Sequence, residues 1–346
     1  MKQTKILITC ALGDYMKTEV DLIKSINDDD LGEIIVIGVD AKDKTYDYIN
    51  LDKFYKVHSI DHYRYYDEIY NLCKEEKINL LIPTHTSELQ FFHDYRHIFE
   101  LIGTKVMVTG GELDIANDKI KCRDFMVDNK MPVPVSTVVK NFDQYKKFVS
   151  DYPDKTFCIK LRDNCGGRGF YVIRDSEYTK DSRIDKRSLP EKTLNMIFDE
   201  NKEFLLQEYL PNDEYTVDIL SENGKFICGA TKKNFSMGNG VAEDSTIVYA
   251  PEILQQCTHL AYLLKLDGNI GFDLKEGSDG NVYIIDVNPR LTATVSLIVK
   301  SGLDIVHLGI RKSLGLKIPD TISEAKVGTS IHRKLYDVFE YEGGLI

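Results

Sequence analysis

The sequence has no apolar run long enough to cross a bilayer. Its longest, such as Ile34 to Val39 and Asn79 to Pro83, are of strand length, against the ~20 residues that a spanning helix needs. It has no excess of positive charge either, since 55 acidic residues face 44 basic ones for a formal net charge of -11. No global basic field draws nucleic acid or an anionic membrane, so an anionic substrate has to be met by local Lys and Arg. No two cysteines stand as CxxC. The seven (Cys10, Cys73, Cys122, Cys158, Cys165, Cys228 and Cys257) are dispersed and odd in number, which reads as reduced thiols. Cys165, inside a glycine loop, reads as a small residue tolerated beside a ligand. No cleavage site follows the short apolar stretch Ile6 to Leu12, so a cytoplasmic protein is expected. Internal repeats and low-complexity tracts are absent as well.

What is present is enough chain for two or three domains: 346 residues, 42% hydrophobic and 29% charged. The first third alternates short apolar strands with amphipathic helices (Lys5 to Cys10, Lys17 to Ser25, Glu33 to Asp40, Tyr65 to Glu75, Leu80 to Pro83), the rhythm of an open parallel sheet. A strand at Lys105 to Val108 ends at Gly110-Gly111. Asn117 and Asp118 then start a helix that Met131-Pro132-Val133-Pro134 stops near Lys130. From Thr156 the pattern turns to hairpins. Phe157 to Leu161 and Phe170 to Ile173 flank a glycine-rich tip, and the polar stretch Asp175 to Lys192 reads as a mobile surface segment. Strands follow at Phe204 to Glu208, Tyr215 to Leu220 and Lys225 to Thr231, then an amphipathic helix ending near Asp267-Gly268. The expected division is 1–112, 113–200 and 201–346.

The chemistry concentrates in Gly271-Phe272-Asp273-Leu274, a Gly277-Ser278-Asp279-Gly280 turn, and Tyr283-Ile284-Ile285-Asp286-Val287-Asn288-Pro289-Arg290. Two apolar strands joined by a glycine-rich turn make a hairpin. Side chains alternate along a strand, so Asp286 and Asn288 share a face, and an even-length loop would put Asp273 on it too. Carboxylates in apolar strands are costly unless a cation accompanies them, and Mg²⁺ suits a few protein oxygens completed by phosphate and water. A solvated hairpin face would account for the same residues equally well. In the glycine loop, Gly166, Gly167 and Gly169 let backbone N–H groups approach phosphate oxygens, with Arg168 adding charge; a plain turn is the alternative. Lys160, inside an apolar strand before that loop, is best explained by a phosphate partner. Lys119 and Arg123, four apart, share a helix face. Glu208-Tyr209-Leu210-Pro211 offers an extended backbone edge to a base, with Glu214 available for ribose hydroxyls.

Taken in order, Asn117-Asp118-Lys119, then Lys160 with Gly166 to Gly169, Gln207 to Leu210 with Glu214, Phe272-Asp273 and Asp286 to Arg290, the motifs resemble the ATP-grasp superfamily. They are most similar to single-copy relatives of the carbamoyl-phosphate synthase large subunit. The resemblance runs from about Ile6 to Leu316 and includes a Pro83 to Leu89 pattern in the first domain. It implies a Rossmann-like, open-sheet pre-ATP-grasp domain (1–112), a small ATP-grasp lobe with a glycine-rich lid (113–200) and a large lobe carrying magnesium (201–346). It further implies that Lys119 and Lys160 contact ATP phosphates under the Gly166, Gly167, Arg168 and Gly169 loop. Glu208, Tyr209 and Leu210 would hold adenine and Glu214 the ribose. Asp273, Asp286 and Asn288 would ligate Mg²⁺, with Mn²⁺ as a substitute, and Arg290 with Lys160 would serve catalysis. Asp273 and Asp286 depart from the family's usual glutamate or glutamine, which leaves metal number and distance open. Lys232 and Lys233 lie in a further segment that resembles one near the nucleotide.

The activity so implied joins a small carboxylate (an amino acid, sugar acid or other metabolite acid) to an amine or thiol through an acyl phosphate. The alternatives are a carbamoyl-phosphate-type phosphotransferase and a nucleotide-binding regulator without chemistry; a dinucleotide dehydrogenase fails because Gly13 stands without the glycine fingerprint. Small-molecule substrates, no nucleic acid, no membrane and a homodimer are the partner expectations. His85, Thr86 and Glu88, at the carboxyl end of a strand, are acceptor-site candidates, with a self-bonded loop as the alternative.

Overall fold

The computed structural model describes residues 2–43, 49–162, 169–173, 188–198, 202–238, 240–334, 340–341 and 344–345. The expected mobile segment from Asp175 onward falls largely outside these residues. The first sheet is five-stranded and parallel, in the order Lys53–Lys56, Glu33–Asp40, Gln3–Ile8, Leu80–Ile82, Lys105–Val106. Alternation splits its central strand between two cores. Leu7 packs with Ile69, Phe92 and Phe99 from the helices Tyr65–Glu76 and Thr86–Leu101. Ile6 and Ile8 pack on the other side, with Val20 of Met16–Lys24 and with Ile298, Ile305 and Ile310 from near the far end of the chain. Burial on both faces is what parallel sheets require. Here the second face is covered by helices of the third segment, so the first sheet and the last share a core.

The middle sheet runs Ser136–Val139, Phe204–Glu208, Phe157–Leu161, Phe170–Ile173, Ser188–Leu189, antiparallel except for its last pair. Its second strand lies beyond residue 200, where the sequence suggested the lobe would end. Leu206 there is fully buried against Ile159 and Leu194, so this sheet closes at Glu208 instead.

The third sheet is six-stranded and antiparallel: Val282–Asn288, Gly268–Glu276, Glu214–Glu222, Lys225–Gly238, Val241–Val248, Ser330–His332. One face packs on the helices Pro251–Leu263 and Lys119–Asp128, through Leu260, Ala261, Cys122 and Met126 against Phe272 and Val287. Asp118 caps Lys119–Asp128, accepting from the amides of Ile120 and Lys121 at 3.0 and 3.1 Å, as its sequence position suggests. Among the described residues no helix is long and apolar enough to cross a membrane.

Candidate functional site

The hairpin that carries Asp273 and Asp286 aligns them by an unexpected route. Glu276 pairs with Val282, Lys275 with Tyr283 and Leu274 with Ile284, so the connecting loop is the five residues 277–281. Odd parity alone would point Asp273 and Asp286 to opposite faces. The register then shifts: Asp273 pairs with Asp286, leaving Ile285 as an extra residue. This bulge re-aims the rest of the strand, and the two carboxylates meet on one face. The even loop expected from sequence is therefore incorrect, although the shared face it implied is present.

Around this pair, Asn288 donates from Nδ2 to Asp273 Oδ2 at 2.9 Å and Thr216, on the neighbouring strand, donates to Asp273 Oδ1 at 3.1 Å. Burial first, and then the carboxylates of Asp286 and Glu214, push the Asp273 carboxyl up to about 7. The opposite charge comes from elsewhere. Lys119, at the first turn of its helix, places Nζ 3.2 Å from Asp286 Oδ1. Lys160, only 7% exposed, donates to Gln207 Oε1 at 3.1 Å. Desolvation pushes its ammonium pKa down, against attraction from Cys158 and Asp286. A narrow cavity of about 20 Å³ is lined by Lys119, Arg123, Gln207 and Asp286.

No group of three or more His, Cys, Asp and Glu suited to a metal occurs among the described residues. The donor set here is two carboxylates and one amide, all oxygen donors, and it leaves most coordination positions to other ligands. A neutral-leaning Asp273 beside Asp286 is a pair that a hard dication would discharge. These residues fit Mg²⁺ bound partly through phosphate and water.

The remaining candidates are distributed less simply. Glu208 turns its carboxylate to Lys155, its amide donates to the Val135 carbonyl at 2.8 Å, and the Tyr209 amide donates to that of Thr156 at 2.7 Å. Leu210, 2% exposed, follows with no backbone hydrogen bond from its own amide among the described residues. Glu214 Oε2 lies 3.5 Å from Lys275 Nζ, and that lysine sits over the Tyr209 ring at 5.4 Å. Gly166, Gly167 and Arg168 lie outside the described residues. Gly169 closes the base of their hairpin, its carbonyl accepting from Leu161 N at 3.1 Å with a φ of 70°.

Lys232 and Lys233 do not reach this site. Lys232 is fully buried, 2.5 Å from Asp218 Oδ2, and donates to Thr294 at 2.6 Å and Thr292 at 3.3 Å; Lys233 pairs with Asp213. This apolar-strand lysine is explained by a buried anion of the protein's own. The pair anchors the loop after Arg290. That loop lies so close to the sheet that a Cβ at Gly271 would meet Thr292 Cγ2 at 2.1 Å.

Arg290 follows Asn288 across one proline, and its amide donates to the Asn288 carbonyl at 2.7 Å. The guanidinium donates from Nη1 to Leu291 O at 2.8 Å and from Nε to Thr86 Oγ1 at 3.4 Å. It lines a cavity of about 500 Å³ between the first and third sheets, together with His85, Tyr15 and Glu19. Of the acceptor candidates, Glu88 is fully buried and spent on the fold. It accepts from Thr9, from Tyr65 at 2.6 Å, and from the amides of Thr84 and His85 at 2.9 Å each. His85 caps the following helix, accepting from Ser87 N at 3.3 Å. Sequence reasoning missed Thr216, Lys275, Tyr15 and Glu19. Thr216 and Lys275 are ordinary strand residues, Glu19 lies in a helix and Tyr15 just before it, none within a motif, and only folding brings them to a site.

Residues 200–333 match the family model described as "ATP-grasp in the biosynthetic pathway with Ter operon", and residues 6–107 match "PylC-like, N-terminal domain". The carbamoyl phosphate synthase large chain, C-terminal section, of Aquifex aeolicus is 22% identical over 251 residues, covering 69% of this chain. The chain spans only 42% of that relative's length. Among solved structures, the biotin carboxylase domain dimer of Hydrogenobacter thermophilus 2-oxoglutarate carboxylase, holding MgADP and bicarbonate, superposes with a TM-score of 0.68 at 15% identity, over 95% of this chain and 73% of that one. L-amino acid ligase from Bacillus licheniformis superposes at 0.62 and 13% identity, over 94% and 76%.

Proposed function

Because residues 200–333 match an ATP-grasp family model and residues 6–107 a PylC-like N-terminal domain, we propose that this chain is an ATP-dependent ligase forming a C–N bond between a small carboxylate and an amine. The observation that carries the reading is the Asp273–Asp286 pair with Lys119 at its edge and Lys160 within its field. Two cations from other elements within the field of two adjacent anions suit a triphosphate with its metal. We divide the chain into a substrate-facing first domain, a small lobe extended to Glu208, and a large lobe. We take it to act in the cytoplasm on small molecules, and a homodimer is compatible with this reading.

Asp273, Asp286 and Asn288 would hold Mg²⁺, which when bound supplies charge neutralisation to the phosphates. Lys119 and Lys160 then bind phosphate oxygens as point charges, and the low dielectric around Lys160 strengthens its pull. Leu210 presents its amide to the base and Glu214 its carboxylate to the ribose. A carboxylate oxygen of the substrate attacks the γ-phosphorus; the bond to the β-bridging oxygen breaks and ADP leaves. Arg290 holds the acyl phosphate. The amine then attacks the acyl carbon, loses a proton, and expels inorganic phosphate. The protein's contribution is positioning and neutralisation.

The test is ADP release measured with carboxylates alone and with carboxylate–amine pairs. ADP that appears only with both supports ligation. Steady ADP with one substrate and a stable phosphorylated product would replace the ligase by a kinase.

A further inference from the structure

The charged residues that line the cavity between the first and third sheets differ in how they are satisfied. Lys105 pairs with Glu100 at 3.0 Å and Lys312 with Asp267 at 2.9 Å. Glu19 from the helix Met16–Lys24 and Arg290 both line the space and act on each other electrostatically, yet they form no ion pair. Glu19 makes no hydrogen bond or ion pair among the described residues. Arg290 uses Nη1 and Nε on Leu291 and Thr86, and its Nη2 makes no hydrogen bond among them. Arg333 also acts on Glu19 but does not line the cavity: its Cζ lies over the Tyr15 ring at 4.3 Å, its Nη2 donates to Ala293 O, and its buried Nη1 has no hydrogen-bond partner among the described residues.

A sheltered carboxylate without a partner is costly. Burial pushes Glu19 up to about 7 even though Arg290 and Arg333 oppose the shift. Unlike Glu88, which accepts four hydrogen bonds, Glu19 has no hydrogen-bond or ion-pair partner among the described residues. A carboxylate and a guanidinium held apart across a cavity suit a ligand that carries both charges. Arg290 is joined through its amide to Asn288, so a carboxylate on its guanidinium would lie beside the triphosphate.

Resting on the ligase reading, we propose that this cavity takes a zwitterionic amino acid as the carboxylate substrate, with its ammonium at Glu19 and its carboxylate at Arg290. Glu19 is then the specificity residue: a neutral or purely anionic acid leaves it unsatisfied.

The experiment measures binding by calorimetry to the full chain, for each of the standard amino acids and its N-acetylated form, with ADP binding followed in parallel. At least one free amino acid is expected to bind about tenfold or more tightly than its acetylated form. Glu19→Gln should erase that preference and leave ADP binding unchanged. Equal binding of free and acetylated forms, a preference for purely anionic acids, or a preference that survives Glu19→Gln each overturns the inference while leaving the ligase reading intact. Failure of the unaltered protein to bind ADP sinks the ligase reading itself. Should Glu19→Gln not fold, Glu19→Asp, which keeps the charge but shortens its reach, must weaken amino-acid binding and spare ADP binding, or the inference is lost.

Discussion

The Lys119 ammonium lies 3.2 Å from Asp286 Oδ1, which joins the first turn of a helix to the edge strand Val282–Asn288 of the third sheet. The contact brings a cation of one segment against the anion pair of another, and Asp286 keeps about 29% of its side chain open beside it.

Asp286→Ala should therefore lower turnover by about a hundredfold or more with the fold preserved, because the side chain is partly open and its strand is held by Ile284 and Val287 in the core. ADP release and far-ultraviolet circular dichroism measure the two effects. Near-normal turnover would remove Asp286 from the metal site.

Lys160→Met separates binding from stability. The lysine is buried with only Gln207 as side-chain hydrogen-bond partner among the described residues, and exchanging a buried charge for an apolar side chain of similar volume is often neutral or stabilising. Without nucleotide, the variant's melting temperature should equal or exceed that of the unaltered chain. The rise on adding Mg-ADP should be largely lost. A normal rise would take Lys160 away from the phosphates.

The Lys232–Asp218 pair predicts the contrary behaviour. Lys232→Met alone leaves Asp218 buried and unpaired, at a cost of about 3–5 kcal/mol, read as a lower urea midpoint. Lys232→Met together with Asp218→Leu should recover most of that loss. If the single and double variants unfold alike, the pair is not coupled as its 2.5 Å separation implies.

Acid should loosen the seam between the first and third segments. Burial alone would raise the Asp28 carboxyl, but hydrogen bonds from His307, at 2.6 Å, and Arg311 outweigh it and hold it at about 2. Its folded pKa is thus below the unfolded value of about 3.9. The stabilisation it provides is present above about pH 4 and is lost as pH falls through about 2. Asp28→Asn should flatten the dependence of melting temperature on pH in that window; an unchanged slope would mean that Asp28 does not carry it.

Much of this was legible in the sequence because it is local. The helix Lys119–Asp128 behind its Asp118 cap, the strands around Asp273 and Asp286 and the parallel first sheet follow from capping, alternation and apolar runs, which act over a few residues. Lys160 could be singled out since an apolar strand does not tolerate a lysine without reason. The same rule applied to Lys232 finds a buried cation but not its partner, because Asp218 lies on the adjacent strand and nothing local marks the pairing. The sheet to which a strand near residue 200 belongs is hidden for a related reason. The strand Phe204–Glu208 looks like the start of the third segment, while its hydrogen bonds lead back to Ser136–Val139 and Phe157–Leu161.

Residue type and short-range period alone dictate which side chains carry charge in apolar strands, and in what order along the chain. Which of those side chains meet is settled by folding. The bulge at Ile285 turns Asp286 onto the face of Asp273, and packing of the first sheet on the helices Val295–Lys300 and Ile305–Ser313 brings Glu19 and Arg290 to one cavity. A one-residue register shift inverts every side chain beyond it, and long-range packing depends on the shape of whole faces. Neither is written in any single stretch of chain.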